Sequence, residues 1–501
     1  MTVILWAFGV AVALELLMEW VRPVWRLRKW LAPVCMLLTA FASGGIALWR
    51  PNVFSVLIGF IGLYRVFNYL RLVEARMHER YLYLATRRTG LVLLGLQAAV
   101  GAGWLAWERW HESGSVWTLA TLVMLGAAAA LLASTLRSLN RTAWPQISGH
   151  LSDQELPTVS VAIPARNETE DLEQCLQSVI ASDYPKLEIL VLDDCSQIKR
   201  TPEIIRSFAH DGVRFVQGDE PSDTWLPKNQ AYDKLVREAS GEYIVFAGVD
   251  VRFGRDSLRQ LMTLLIRKNK VMASILPWRH EQAERRFALP QAMRYFWELM
   301  PPRRLFNRPP VLSTCLVIKK EAVTHAGGFV AVARSITPEA FFARKLIATD
   351  GYSFMRASLA SGIESSKASR EQLETAVRTR YPQLHRRPEN VVLLSLLMTG
   401  ALLLPFVLAI GGFWLPIGGL AQALAALACA LLIAAYWLMT TATRTGSRWF
   451  GLVGLPLGVM YDIGMQHYSM WQYEFSTVEW KGRNVCIPAM HVIPHLPKLN
   501  D

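Results

Sequence analysis

Several stretches of this chain run for about 18 or more mostly apolar residues, long enough as helix to cross roughly 30 Å of hydrocarbon. Five come first, at about residues 2–20, 30–49, 52–70, 90–108 and 116–136, and two more at about 391–411 and 416–440. In lipid every backbone polar group must be satisfied within the segment, so these stretches are restricted to helix. The mean hydropathy of +0.23 and the 18 tryptophans fit a membrane protein better than a soluble enzyme of 501 residues. The formal net charge is +13. The basic residues cluster beside apolar runs, as in loops facing anionic lipid, and no nucleic-acid motif accompanies them.

The charge of the loops predicts an orientation. The 21–30 loop holds Arg22, Arg26, Arg28 and Lys29, and the 71–89 loop holds Arg71, Arg76, Arg80, Arg87 and Arg88. The other two connections add little beyond Arg50 and Arg109. The positive-inside rule then puts both basic loops in the cytoplasm and the N-terminus outside, and five crossings deliver residue 137 to the cytoplasm. The N-terminus lacks a basic n-region and a small-residue cleavage site, so it reads as a retained span. In the first span, Glu15 and Glu19 lie four apart near the cytoplasmic end. Snorkelling or pairing with Arg22 and Arg26 is the expected arrangement, with a polar cavity as the alternative. The six cysteines form no CxxC pair, and Cys35 and Cys429 sit inside apolar runs, so free thiols are expected.

Residues 150–390 follow another pattern. Short β-rich runs, "TVSVAIPA", "LEILVLDD", "VRFVQGD", "EYIVFAGVD" and "VLSTCLVIKK", alternate with amphipathic stretches such as "DLEQCLQSVIAS". This implies a mostly parallel sheet with helices on its faces, binding ligands at the carboxyl ends of its strands. Two successive strand ends carry Glu168 and Asp194, which can accept hydrogen bonds from a ribose or a base. Asp193 precedes Asp194, and either aspartate could instead simply start a turn.

The stretch 159–197, "VSVAIPARNETEDLEQCLQSVIASDYPKLEILVLDDCSQ", resembles the opening of family 2 glycosyltransferases, which use nucleotide-sugar donors. The likeness continues through "TWLPKNQAYDKLVREASGEYIVFAGVDV" and "STCLVIKKEAVTHAGGF", and ends at "STVEWKGR", which is similar to the tail of members that glycosylate lipids. The resemblance implies an α/β GT-A-type (nucleotide-diphospho-sugar transferase) domain inserted between transmembrane helical segments. The expected organisation is five transmembrane helices over 1–136, a cytoplasmic GT-A domain over 137–390, and over 391–501 two transmembrane helices, an interfacial or third helix and a tail. A bacterial inner (cytoplasmic) membrane is the expected location. The implied partners are a nucleotide-diphosphate sugar, a lipid or polyprenyl-linked acceptor and the membrane.

The resemblance also implies roles. Glu168 and Asp194 would contact the nucleoside, with Asp193 behind them, and Lys228 would lie near the donor. The family shows Asp-x-Asp where this chain has Gly248-Val249-Asp250, so Asp250 is the expected ligand of Mg²⁺ or Mn²⁺; a lone strand-end aspartate is the plain alternative. Aligning "ITPEAFFARKL" on Leu346 puts Pro338 on the family's Glu and Glu339 on its Asp. Glu339 is then the candidate general base, and equally a helix N-terminal acid behind Pro338. The family's Gln-x-x-Arg-Trp becomes Val377, Arg380 and Tyr381; Arg380 could bind the diphosphate, and the loss of Gln speaks against a processive polysaccharide synthase. A sugar transfer with inversion is the leading reading. Because Gly248, Pro338 and Val377 each replace a family residue, a non-catalytic binding or scaffold subunit is an alternative. "RRFALPQAMRYFWELMPPRRLF" suits a helix in the headgroup layer, or one packed against the protein.

Overall fold

The computed structural model describes residues 8–15, 28–49, 51–78, 89–101, 103–104, 115–146, 149–222, 224–279, 288–301, 309–366, 369–443 and 448–484. The 21–30 loop apart from 28–30, most of the 71–89 loop, Glu19 and Cys486 lie outside them, as does the tail beyond 484.

The five sequence runs expected as strands join two that were not expected, Met272–Leu276 and Tyr352–Arg356, in one seven-stranded mixed sheet. Its members are β1 (Val159–Ala165), β2 (Leu187–Asp193), β3 (Val213–Gln217), β4 (Tyr243–Ala247), β6 (Met272–Leu276), β7 (Cys315–Lys319) and β8 (Tyr352–Arg356), in the order β3-β2-β1-β4-β7-β6-β8. β1 runs parallel to β2 and β4, whereas β7 is antiparallel to β4 and β6. The carboxyl ends of β2, β1 and β4 therefore share one edge, and the residues that enter β7 join them there. A small antiparallel pair, β5 (Val251–Phe253) with β9 (Ile363–Ser365), sits beside the end of β4.

Both faces of the sheet are covered, which is why its central strands are largely apolar rather than alternating. On one face Val161, Ile163, Val191 and Val245 pack against two amphipathic helices, Glu170–Ile180 and Ser257–Arg267. The first buries Leu172, Cys175, Leu176 and Val179, an i, i+3, i+4, i+7 stripe, and carries Glu170, Asp171 and Glu173 in its first turn, where acids favour the helix dipole. On the other face Ala162, Ile244, Phe246 and Leu316 belong to a core that continues into the apolar helices, including Ala128, Leu432 and Tyr436. Phe246 is fully buried, and its ring lies 4.5 Å from Tyr232 and 5.8 Å from Phe329. Truncating it to alanine would cost about 3–5 kcal/mol.

Outside the sheet layers lie the helices α1 (Arg28–Trp49), α2 (Val53–His78), α3 (Ser115–Thr142), α4 (Ser369–Gln383), α5 (Pro388–Gly411), α6 (Gly419–Thr443) and α7 (Arg448–Phe475). Four helical segments among the described residues, Val53–Arg71, Val116–Thr142, Pro388–Gly411 and Gly419–Thr443, are long and apolar enough to cross a membrane. Pro33–Leu48 and Thr89–Gly101 are shorter apolar helices. α5 contains a π turn at Thr399–Leu403 just ahead of Pro405, which lacks the N–H that would continue the ladder.

Three local expectations are refined. Glu15 pairs with Arg65 of α2, and Arg65 also donates to Gln97 and Thr39. The partner of this carboxylate is therefore a cation buried in the helix cluster, bound through Glu15 Oε2, and not an arginine of the 21–30 loop. The Ala288–Leu299 helix buries Met293, Phe296 and Leu299 against α6 and α7, so it is packed inside the protein. α7 is one continuous helix whose polar residues Asp462, Gln466 and Ser469 are fully buried against the protein, while Val453, Leu457, Met460 and Trp471 are exposed.

Candidate active site

At the end of β1 the chain turns through Asn167, and at the end of β2 through Cys195, both at positive φ (50° and 51°). Asparagine tolerates this conformation because its side chain bonds locally. Asn167 Oδ1 accepts from the backbone N–H of Gln197 at 2.8 Å, tying the two turns together. Arg166 locks the same corner, its guanidinium donating to the carbonyls of Asp194 (2.7 Å) and Cys195 (2.6 Å). The result sets Glu168 and Asp194 just beyond the ends of adjacent parallel strands, on the same edge of the sheet. Asp193 instead shapes the turn, its Oδ1 accepting from the N–H of Ser196 at 3.2 Å. Gly218 makes the close fit behind it possible, since a Cβ there would lie 2.4 Å from the carbonyl oxygen of Asp193.

Glu168 and Asp194 do not face open solvent. Lys481 pairs with Glu168, and Arg483 Nη1 meets Asp194 Oδ1 at 2.7 Å. Burial pushes both carboxyl groups above the usual range, and the adjacent cations oppose that shift. Lys481 and Arg483 belong to the quoted tail, but the sequence pattern gave them no role.

Asp250 lies one residue before β5. The β5–β9 register sets Ser365 opposite Val251, and Ser365 Oγ donates to Asp250 Oδ2 at 2.7 Å. Asp250 Oδ1 folds back over Gly248, where a Cβ would be only 2.6 Å away. A glycine is thus what this carboxylate pose needs at 248. Among the described residues no group of three or more His, Cys, Asp or Glu could hold a metal ion. The nearby thiols of Cys175 and Cys315 are buried and pushed up to about 12 by desolvation, so in the metal-free protein they are neutral at neutral pH. A cation here would have one protein carboxylate, with oxygens of a diphosphate and water completing its shell, a set that suits a hard ion such as Mg²⁺ or Mn²⁺.

Lys228 and Glu339 come together as an ion pair. Each opens a helix that begins with proline, Pro227–Glu238 and Pro338–Ile347. Packed aromatics set these helices against each other: Tyr232 packs on Phe329 at 5.5 Å, and Phe329 on Phe342 at 5.2 Å. Asn229, fully buried, donates to the carbonyls of Val332 (2.8 Å), Ala333 (3.0 Å) and Ser335 (2.8 Å), fastening the loop ahead of Glu339. Burial pulls the Lys228 ammonium below its usual range, and Glu339 opposes that.

A cleft opens beside this pair, with Lys228, Glu339, Arg294, Arg378 and Arg380 in its walls. A smaller pocket beside Asp250 shares Arg294, Leu312 and Gln372 with it as walls, so the pockets at Asp250 and at Glu339 adjoin. Arg380 is only partly available: its Nη2 pairs with buried Asp462 at 2.6 Å, and Trp297 donates to the same carboxylate at 2.7 Å. Arg294 and Arg378 were not singled out as site residues from sequence; a helix that carries arginine on an otherwise buried face was the available signal.

A GT-A-like domain is the class to which such a mixed sheet belongs. Residues 160–326 match the family described as Glycosyl transferase family 2, and this segment is a family 2 glycosyltransferase domain with a GT-A-like mixed sheet. Two curated relatives illustrate the likeness. Glycosyltransferase AglE of Haloferax volcanii is 36% identical over 99 residues, 19% of this chain and 31% of that protein. Probable glycosyltransferase YdaM of Bacillus subtilis is 27% identical over 185 residues, 35% of this chain and 44% of that one. The chain thus spans less than half the length of these relatives. Among solved structures, the mannosyltransferase PcManGT from Pyrobaculum calidifontis, in complex with GDP-Man and Mn²⁺, superimposes with a TM-score of 0.42 at 19% identity, covering 71% of this chain and 96% of that one.

Proposed function

We propose that the protein is a membrane glycosyltransferase, moving a sugar with inversion from a nucleotide diphosphate to a lipid or polyprenyl-linked acceptor. The observation that carries this is a groove of two adjoining pockets, one beside Asp250 and one lined by Glu339, which share Arg294, Leu312 and Gln372, in a chain with a family 2 domain. Glu168 and Asp194 would seat the nucleoside, with Asp193 shaping the turn behind. Arg294, Arg378 and part of Arg380 would face the diphosphate as delocalised cations. Asp250 would hold Mg²⁺ or Mn²⁺, which when bound neutralises charge on the leaving diphosphate. Glu339 would take the proton of the acceptor hydroxyl, with Lys228 orienting its carboxylate.

The lipid acceptor is supported by what surrounds the groove. Its walls include the Ala288–Leu299 helix and α4, which pack on α7, and the four long apolar helices expose Leu122, Leu397, Val407 and Leu427 among others. Exposed apolar area of this extent fits a bilayer. We place the domain on the cytoplasmic side on the loop-charge argument.

A second reading is a binding subunit without catalysis, favoured by the lone carboxylate at Asp250. One assay separates the two: purified protein with Mn²⁺ and a panel of nucleotide sugars, read by released nucleoside diphosphate and by sugar in the lipid extract. Release that disappears in Glu339→Gln supports the enzyme. Binding of nucleoside diphosphate with no release from any donor overturns it.

A further inference from the structure

The tail hairpin enters the nucleoside corner in a specific way. β10 (Glu479–Trp480) and β11 (Arg483–Asn484) are joined by Lys481–Gly482, both at positive φ (47° and 76°), as a two-residue hairpin turn of type I′ requires. Just ahead of it, buried Val478 packs in a cluster with Tyr381 and Tyr473, anchoring the hairpin to α4 and α7. At the turn the Lys481 carbonyl accepts from Arg166 Nε at 3.1 Å and Asn167 Nδ2 at 3.3 Å. The side chains of Lys481 and Arg483 then reach the two carboxylates, and Arg483 Nη2 also meets Glu220 at 3.0 Å. The pair is well enclosed: the Arg483 side chain is 10% exposed and that of Asp194 7%.

Each cation uses one carboxylate oxygen. Lys481 binds Glu168 Oε1 and Arg483 binds Asp194 Oδ1; among the described residues no bond reaches Glu168 Oε2 or Asp194 Oδ2. Those oxygens can accept from hydroxyl or N–H donors of a nucleoside. We propose that Lys481 and Arg483 are positioning residues of the nucleoside subsite, holding Glu168 and Asp194 oriented and ionised so that each offers its second oxygen to the donor. This rests on the reading of Glu168 and Asp194 as the nucleoside carboxylates. The tail hairpin becomes the outer wall of a nucleoside corner otherwise built from Arg166, Glu168, Asp194 and Glu220, more than 260 positions earlier.

The ionisation half of the claim has a definite sign. Asp194 faces Arg483 from the hairpin, Arg166 from the β1 turn, and Glu220 and Cys195 on the acidic side; Glu168 faces Lys481, Asp171 and Glu371. Burial already raises Asp194, and Arg483 is the main force lowering it. Without Arg483 its carboxyl rises further. A carboxylate that must be ionised to accept donor hydroxyls then loses binding at a higher pH on acidification.

The test is calorimetric titration of the detergent-purified full-length protein with UDP and with GDP, each with Mn²⁺, over about pH 5–8, around the carboxylate and histidine ranges. For the nucleotide that the wild type binds, Arg483→Gln is expected to weaken affinity about tenfold near neutral pH, the size of a lost charge-assisted bond. Its acid limb is expected to move to higher pH, and Arg483→Lys to restore much of that limb. Thermal unfolding monitors the fold, and Lys481→Met, acting through Glu168, repeats the test should Arg483→Gln fail to fold. If the wild type binds neither nucleotide at any pH, the nucleoside reading and this inference fall together. If the wild type binds and the variants bind equally well with an unmoved acid limb, the inference alone is overturned. Tighter binding by the variants also overturns it, since the hairpin would then be a plug that competes with the donor.

Discussion

Gly248→Asp restores the carboxylate that the family motif has and this chain lacks, and the structure makes its effect two-sided. A Cβ at 248 would lie 2.6 Å from Asp250 Oδ1. An ordinary contact needs about 3.5 Å, so the Asp250 carboxylate must swing by about 1 Å. That movement strains its 2.7 Å bond from Ser365, and a bond to a charged acceptor is worth about 1.5–3 kcal/mol. Two neighbouring carboxylates add a repulsion of about 1–4 kcal/mol depending on screening. The metal-free variant should therefore lose about 3 kcal/mol or more, an apparent Tm drop of roughly 6–12 °C for a domain of this size. Gly248 does not occupy the left-handed region, so backbone strain adds nothing to this.

A divalent cation reverses both losses. Held between two hard oxygen ligands, it turns the repulsion into chelation, and at about 100-fold over its Kd it returns roughly 2.7 kcal/mol. The assay is thermal unfolding with and without Mn²⁺, for wild type, Gly248→Asp and Asp250→Asn. Mn²⁺ should raise the apparent Tm of Gly248→Asp by several degrees more than that of the wild type, and leave Asp250→Asn unmoved. Equal responses in all three would refute the placement of the metal at Asp250.

Four further outcomes are expected. Asp194→Ala should weaken nucleoside diphosphate binding by about 1.5–3 kcal/mol in calorimetry while the protein stays folded. Glu339→Gln should lower turnover about 100-fold or more with donor affinity largely kept, since it removes a base and not a donor contact. Asn229→Asp should be more damaging than Asn229→Ala in both thermal stability and turnover, because it sets a carboxylate against the carbonyls of Val332, Ala333 and Ser335, now 2.8–3.0 Å from an NH₂ group. A single cysteine at exposed Lys268 should resist a membrane-impermeant maleimide added outside intact cells; efficient labelling would overturn the cytoplasmic assignment.

What was legible in the sequence was whatever local pattern dictates. The parallel strands at β1, β2 and β4 announced themselves as largely apolar runs, and their shared edge followed from parallel geometry, so Glu168 and Asp194 were placed on one edge. Contacts between residues far apart in sequence were not legible. Lys481 and Arg483 lie more than 280 residues from Asp194, and only the docking of the hairpin joins them. The partner of Glu15 was misjudged for the same reason, since Arg65 comes from another helix. Nor does sequence show space: the closeness of Asp250 Oδ1 to position 248 makes a missing motif residue look like a fitted one.

The three departures from the family pattern differ in what they imply, and their surroundings show it. Val377 packs in the cluster with Tyr381 and Tyr473, and its carbonyl accepts from Ser469 of α7. Arg380, one helical turn on, is tied to Asp462 of the same helix. Both positions of that motif are therefore engaged by α7, and the neighbouring Arg378 lines the cleft in the direction of Lys228 and Glu339. Pro338 opens its helix where a missing N–H costs nothing and leaves Glu339 as the first side chain able to carry a charge. Gly248 alone removes a candidate metal ligand without a replacement among the described residues. Loss of catalysis would therefore have to arise at the metal end of the groove, which is the end that Gly248→Asp and Asp250→Asn interrogate.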